Sequence, residues 1–397
     1  MDEDIASRVY SDPLARWFVT EAYKITDTGQ LIAAAGEQLI KAGIPLWRLA
    51  YFQLTLHPEL DGHAYYWRRG QQVQVQAAPA GLRERPEFRD NPMAIVYDQL
   101  KTVRVRLESV EPTAPALRQF KEEGATDYVA LPLLFGNGHA DGLSVISDKP
   151  GGFSNSDLDR MFLLQFAFTR IVESHALRDT AVNLLDAYVG RAAGRRILSG
   201  EIRRGSGQTL DAVIWYCDLR GFTRASDSLP RDTVIALLND YFDTMGNIVT
   251  NSGGEILKFM GDGMLAMFPV DGSDDRATVV RRAAAAATSV ADAMTVLNRI
   301  REAADEPPVR FGLALHIGEV MFGNIGASNR LDFTVIGPAV NYTARLEKLC
   351  AELERSILFS AEFASLLPAG EAALLGCHML KDIAEPQSVF SPPSARR

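Results

Sequence analysis

Apolar and polar positions switch period several times along the chain, and each switch marks an element. "GQLIAAAGEQLIKAGI" repeats apolar residues at three- and four-residue spacing, which predicts an amphipathic helix. "WRLAYFQLTL", "HAYYWRR" and "QVQVQ" then alternate or run apolar over short stretches, as successive strands do. "NPMAIVYDQLKTV" and "PALRQFKEEG" return to helical spacing, and "DYVALPLLF", the turn "GNGHADG" and "LSVIS" form a hairpin. A long helix follows in "FSNSDLDRMFLLQFAFTRIVESHAL", with Ser154 or Ser156 able to cap it. Helix, antiparallel sheet and closing helix make an α+β layer fold.

The second half has its own pattern. "LDAVIWYCDLRGFTRASD" is an apolar strand that ends on Asp218, with Val213, Trp215 and Cys217 on one face and Ile214, Tyr216 and Asp218 on the other. The helix "PRDTVIALLNDYFDTMGNIVTNSGG" can return the chain beside that strand. "EILKFMGDGMLAMF" then reads as two short strands around Gly261, Asp262 and Gly263. Simple alternation puts Ile256, Lys258, Met260 and roughly Asp262 on one face, and Leu257 and Phe259 on the other. "LDFTVI" is a strand holding Thr334, and Gly337 with Pro338 starts a helix on which Asn341 and Arg345 stand at i and i+4.

Between the halves, Leu164, Phe168, Ile171, His175, Arg178, Val182, Leu185 and Val189 follow at alternating four- and three-residue spacing. That heptad seam predicts a parallel dimer, although a helix packing one face on its own domain gives the same spacing. "GRRILSGEIRRGSGQ" is a basic, Gly-rich connector.

Composition narrows the partners. The 397 residues, 47% apolar, suggest two or three globular domains. A formal charge of -9 argues against a surface built for nucleic acid or anionic lipid. The acidic start lacks signal-peptide features and no apolar run reaches membrane-spanning length, so the expectation is a cytoplasmic protein with no membrane segment. Cys217, Cys350 and Cys377 are odd in number and without metal-type spacing, which predicts buried, reduced thiols.

The charged residues inside apolar strands carry the chemistry. A lysine and an aspartate in a hairpin can be no more than a solvated edge. Two carboxylates brought together repel, however, and a divalent cation removes that cost. An Asn and an Arg on one helical face can hold ribose and phosphate oxygens.

"CDLRGFT", "GGEILKFMGDGMLAMF", "LHIGEVMFGNIG" and "FTVIGPAVNYTARLE" together resemble the class III nucleotidyl cyclase catalytic domain, over residues 209–392 with "LKDIAEPQSVF" as a closing strand. The resemblance implies a ferredoxin-like βαββαβ fold and the conversion of ATP to 3′,5′-cyclic AMP with two Mg²⁺ or Mn²⁺ ions. Those ions would be held by Asp218, Leu219 and Asp262, and the substrate would also be contacted by Gly221, Phe222 and Thr223. Lys258 and Thr334 would read adenine, a pairing similar to that of bicarbonate-responsive adenylyl cyclases. Asn341 would orient the ribose and Arg345 would neutralise charge on the α-phosphate. Such sites are shared in a head-to-tail homodimer. Where many members carry an Arg four residues before the His of this motif, the chain has Gly312; Arg310 keeps the same strand parity and stands outside the expected site. A guanylyl cyclase, or a catalytically silent cyclase fold, is the alternative.

The first half, with its hairpin followed by "GGFSNSDLDRM" and an exit helix, resembles a GAF-type α/β sensor domain. The resemblance implies a small-molecule effector without identifying it. Trp47, Tyr51, Phe52, Tyr65, Tyr66 and Trp67 could line a cavity or be plain core, and His57, His63 and His139 carry no metal signature. The expected division is an N-terminal segment (1–27), a sensor domain (28–163), a helical linker (164–208), a catalytic domain (209–392) and a tail (393–397).

Overall fold

The computed structural model describes residues 11–272 and 274–393. The expected N-terminal segment and C-terminal tail therefore lie partly outside the described residues. The chain divides into two compact units, residues Met1–Ala187 and Tyr188–Arg397.

The first unit runs α1 (Pro13–Thr20), α2 (Thr28–Lys41), β1 (Arg48–Leu54), β2 (Leu60–Arg68), β3 (Gln74–Pro79), α3 (Pro86–Arg89), α4 (Pro92–Gln99), β4 (Val103–Arg106), α5 (Pro115–Glu122), β5 (Asp127–Leu134), β6 (Ala140–Ser147) and α6 (Asn155–Tyr188). Its strands form one antiparallel sheet in the order β3-β2-β1-β6-β5-β4. α1, α2 and α6 cover one face, burying Leu14, Phe18, Leu31, Phe168 and Val172 against Tyr51, Trp67 and Leu131. α4 and α5 cover the other, where Met93, Val96 and Leu117 meet Trp47, Tyr128 and Ile146. The unit extends beyond the expected start at residue 28, because Leu14 and Phe18 of α1 belong to its core.

Ser154 caps α6: its hydroxyl accepts from the Asp157 N–H at 3.1 Å, while the Asp157 carboxylate accepts from the Ser154 N–H at 2.9 Å. The expected dimer seam is only half available. Leu164, Phe168 and Ile171 are buried in the unit's own core, and His175 Nδ1 pairs with Thr28 Oγ1 at 3.0 Å. One turn on, Asp179 accepts from Gln53 Nε2 at 3.0 Å, and Asn183 Nδ2 donates to Thr55 Oγ1 at 2.9 Å. Amphipathic docking and coiled-coil pairing share the same spacing, so the pattern alone does not separate them.

The second unit begins with α7 (Arg191–Leu198) and β7 (Gly207–Leu219), then α8 (Phe222–Ser228), α9 (Arg231–Asn251), β8 (Glu255–Met260), β9 (Gly263–Pro269) and α10 (Arg276–Ala303). β10 (Phe311–Ala327), β11 (Arg330–Ile336), α11 (Pro338–Glu352), β12 (Ile357–Ser360), α12 (Ala361–Ala364), β13 (Ala373–His378) and β14 (Gln387–Ser391) complete it. The sheet order is β13-β14-β12-β10-β7-β9-β8, with β11 folded back on β10. β10 and β12 run parallel; the other neighbours are antiparallel.

β7 sits in the middle of this sheet and separates two cores. Val213, Trp215 and Cys217 face α9 and α10, packing on Tyr241, Met245, Ala283 and Val290. Ala212 and Ile214 face the other way, against Ala193 of α7, Leu265, Phe322 and Phe333.

A single glycine tests the packing of the first unit. A Cβ at Gly36 would lie 2.6 Å from the Trp67 indole, which is itself buried. Gly36→Ala is expected to destabilise this unit by about 1–3 kcal/mol in denaturant unfolding; an unchanged midpoint would contradict the packing.

Candidate functional site

The site is built where three chain reversals meet the end of β7. Asp218 is the penultimate residue of that strand, and Gly312 of β10 is its cross-strand partner. The β8–β9 hairpin closes on the pair Met260 and Gly263, so Gly261 and Asp262 form its two-residue loop, with Gly261 at φ +68°. Gly263 permits the close approach: a Cβ there would stand 3.2 Å from the Cys217 carbonyl and 3.4 Å from Asp218 Oδ1.

This geometry sets Asp262 beside Asp218, close enough for its charge to act on the Asp218 carboxyl. Burial first, then the negative charge of Asp262, pushes the Asp218 carboxyl up to about 6, while the Leu219 N–H, donating to Oδ1 at 3.1 Å, pulls the other way. The pair is held together by the backbone against its own repulsion.

A third carboxylate was not foreseen from the sequence. Glu347 of α11 is only 9% exposed, and its Oε1 occupies the space above Gly312, 2.2 Å from where a Cβ would be. Burial and the Asp218 charge push Glu347 up to about 7, with a smaller contribution from Asp262, against the opposing charges of Arg220 and Lys348. The only sequence signal was a Glu two positions after Arg345.

The hairpin departs from simple alternation. A β-bulge between Ile256 and Lys258 leaves Leu257 without a cross-strand partner. Ile256 packs toward α9, whereas Leu257 is buried in the opposite core. Lys258 then pairs with Leu265, and Leu265 with Tyr216. The bulge thus moves Lys258 off the face of Ile256, where alternation had put it, and onto the face of Tyr216 and Asp218. Phe259 turns to Phe242 of α9, with ring centroids 4.4 Å apart.

The remaining expected residues fall on neighbouring elements. Gly221, at φ +75°, caps α8. Phe222 next to it packs on the α9–α10 core, and Thr223 is exposed. Thr334 on β11 is buried, and its Oγ1 has no hydrogen-bond partner. Asn341 is exposed on α11, and Arg345 Nη2 lies 3.5 Å from Asp382 Oδ2. The structure therefore joins Asp218 to Asp262 and places the base-reading and Asn/Arg candidates on other elements.

The donor set fits a hard divalent cation. Two neighbouring carboxylates supply oxygen ligands and a charge for the cation to neutralise. Among the described residues no group of three or more His, Cys, Asp or Glu forms a complete cage. The three cysteines are free; Cys217 and Cys350 are buried as expected, but Cys377 is exposed on an edge strand, against the expectation of burial.

In the first unit, Phe52 and Tyr66 line a cavity of about 420 Å³ together with Phe88, Tyr97, Arg83 and His63. Trp47, Tyr51 and Trp67 are core instead, and Tyr65 stacks on Tyr51. His57 Nδ1 accepts from the Glu59 N–H, and His139 borders a neighbouring cavity. No helix among the described residues is long and apolar enough to cross a membrane.

Asp218 gives the site a pH signature. Its raised pKa means that keeping it ionised costs stability above about 6, a cost relieved as pH falls through that value. In chelator-treated protein at neutral pH, Asp218→Asn is expected to raise stability by about 1 kcal/mol after allowance for solvent screening, and the gain should disappear near about pH 4. Equal melting temperatures at neutral pH would contradict the repulsion.

Comparison with known proteins follows the same boundary. Residues 206–375 match the sequence model described as the adenylate and guanylate cyclase catalytic domain. An adenylate cyclase of Anabaena cylindrica is 29% identical over 218 residues, covering 54% of this chain and 41% of that protein. Adenylate cyclase 1 of Rhizobium meliloti is 28% identical over 206 residues, or 50% of this chain and 31% of that protein. The chain thus spans less than half the length of these curated relatives. Among solved structures, the adenylyl cyclase CyaB from P. aeruginosa is 28% identical, covering 48% of this chain and 98% of that one, with a TM-score of 0.44. By sequence, the part of this chain that carries the paired aspartates, residues 206–375, matches the adenylate and guanylate cyclase catalytic domain.

Proposed function

We propose that this chain is an adenylate cyclase that converts ATP to 3′,5′-cyclic AMP and pyrophosphate. The observation that carries the reading is the Asp218–Asp262 pair, two carboxylates held side by side at a strand end. When bound there, two Mg²⁺ or Mn²⁺ ions supply an activated ribose 3′-hydroxyl and neutralise the triphosphate. Asp218, Asp262 and the Leu219 carbonyl hold them. The backbone from Gly221 to Thr223, at the start of α8, receives the phosphates.

Lys258 and Thr334 read the adenine edge. The bulge that turns Lys258 out of the α9 side supports this, as does the buried Thr334 hydroxyl, whose missing hydrogen bond a base would complete. Asn341 orients the ribose, and Arg345, leaving its weak contact with Asp382, neutralises charge on the α-phosphate as pyrophosphate departs. The strand order β10-β7-β9-β8 with intervening helices supports the ferredoxin-like βαββαβ reading.

The active form is a head-to-tail homodimer in which one protomer supplies the aspartates and the other supplies Lys258, Thr334, Asn341 and Arg345. The first unit acts as a GAF-like sensor in the cytoplasm; its six-stranded sheet between helical layers and its aromatic cavity support a small-molecule effector.

Turnover of ATP and GTP by the purified full chain, with Mg²⁺ and with Mn²⁺, tests the reading. Preference for ATP of roughly 10²-fold is expected, since each mismatched buried group costs about 1–3 kcal/mol; comparable turnover of GTP would overturn the base assignment. Asp262→Ala and Arg345→Ala should each be inactive. Mixing them should restore about a quarter of wild-type activity, because half the dimers then hold one intact site of two. No recovery from verified mixed dimers would contradict the shared site.

A further inference from the structure

Glu347 has no place in the chemistry above, yet it is the buried carboxylate nearest the metal-binding pair. Its backbone belongs to α11, the helix that also carries Asn341 and Arg345. Its Oε1 lies against Gly312, and Gly312 pairs directly with Asp218. Paired Cα atoms on antiparallel strands stand about 4.5–5.5 Å apart, so the Glu347 carboxylate reaches the strand end that holds Asp218. The residue at this spot on β10 must be glycine for the contact to exist, since a Cβ would also crowd Cys350 Cβ at 3.2 Å.

Charges of both signs surround Glu347, Arg220 and Lys348 against Asp218 and Asp262. Arg220, next but one to Asp218, faces it with a guanidinium whose Nε is buried without an acceptor and whose Nη2 donates to the Arg355 carbonyl just past α11. Asp218 and Asp262 face it with like charge. In metal-free protein, α11 is therefore pushed by the aspartates and held by Arg220. Divalent charge at the aspartates reverses the push.

We propose that Glu347 is a positioning residue through which a divalent cation at Asp218 and Asp262 steadies α11, and with it Asn341 and Arg345. In a head-to-tail dimer those two residues serve the other site, so the cation of one site sets the arginine of the next. The inference rests on the proposed metal role of the aspartate pair.

The test measures Mn²⁺ binding directly by electron paramagnetic resonance on the full chain, without nucleotide and at alkaline pH, for wild type, Glu347→Gln and Asp262→Ala. Gln keeps the shape and removes the charge, so metal-free Glu347→Gln should melt no lower than wild type and bind Mn²⁺ roughly three- to tenfold more weakly, the Coulombic effect of one charge a few ångströms away. Its kcat should fall while KM for ATP stays within about twofold. Gly312→Ala should lose activity, and in a Glu347→Ala background the same substitution should cost much less, because the space it needs has been vacated. Wild-type Mn²⁺ affinity and kcat in Glu347→Gln would overturn this inference alone. Unchanged Mn²⁺ binding in Asp262→Ala would overturn the metal assignment beneath it.

Discussion

Two aspartates that repel each other are the constraint around which the second unit is arranged. Asp218 is the penultimate residue of β7, Asp262 sits in a hairpin loop, and Gly263 lets the hairpin approach close enough for the two charges to act on each other. Nothing in the apolar packing requires that approach. The sheet supplies the rigidity, with β7 buried between two cores, and the fold bears the electrostatic cost of the pair.

The same strand end shows how a small set of backbone choices distributes chemistry over a sheet. The bulge at Leu257 is a single extra residue, yet it decides which face Lys258 occupies. Gly312 leaves room for Glu347 and thereby brings the helix of Asn341 and Arg345 into electrical contact with Asp218. Arg310, whose carbonyl accepts the Arg220 N–H at 2.8 Å, fixes the chain just after β7. Elements far apart in the sequence are thus tied together through backbone and charge.

Much of this was legible in the sequence. Alternation along "AVIWYCD" assigned Val213, Trp215 and Cys217 to one core and Ile214 and Asp218 to the other side, as the structure has them. The hairpin, the Thr334 strand and the Asn341–Arg345 helix were also readable from period and turn residues. The face of Lys258 was not, because a bulge has no signature in a run of apolar residues. Glu347 was hidden for a different reason: its neighbours are distant in sequence and meet it only through the glycine on β10. The seam from Leu164 to Val189 was misleading in its first half, since a helix docking on its own sheet repeats at the same interval as one pairing with a copy.

The central claim is that the aspartate pair holds catalytic metal for a nucleotide whose base is read by another protomer. Crystals of the full chain soaked with Mn²⁺ and a non-cyclisable ATP analogue, with anomalous scattering to locate manganese, test it most directly. The account predicts two manganese peaks between Asp218 and Asp262 of one protomer, about 3.5–4 Å apart, with adenine against Lys258 and Thr334 of its partner. Manganese away from the aspartates, or a base read by the protomer that holds the metal, would contradict it.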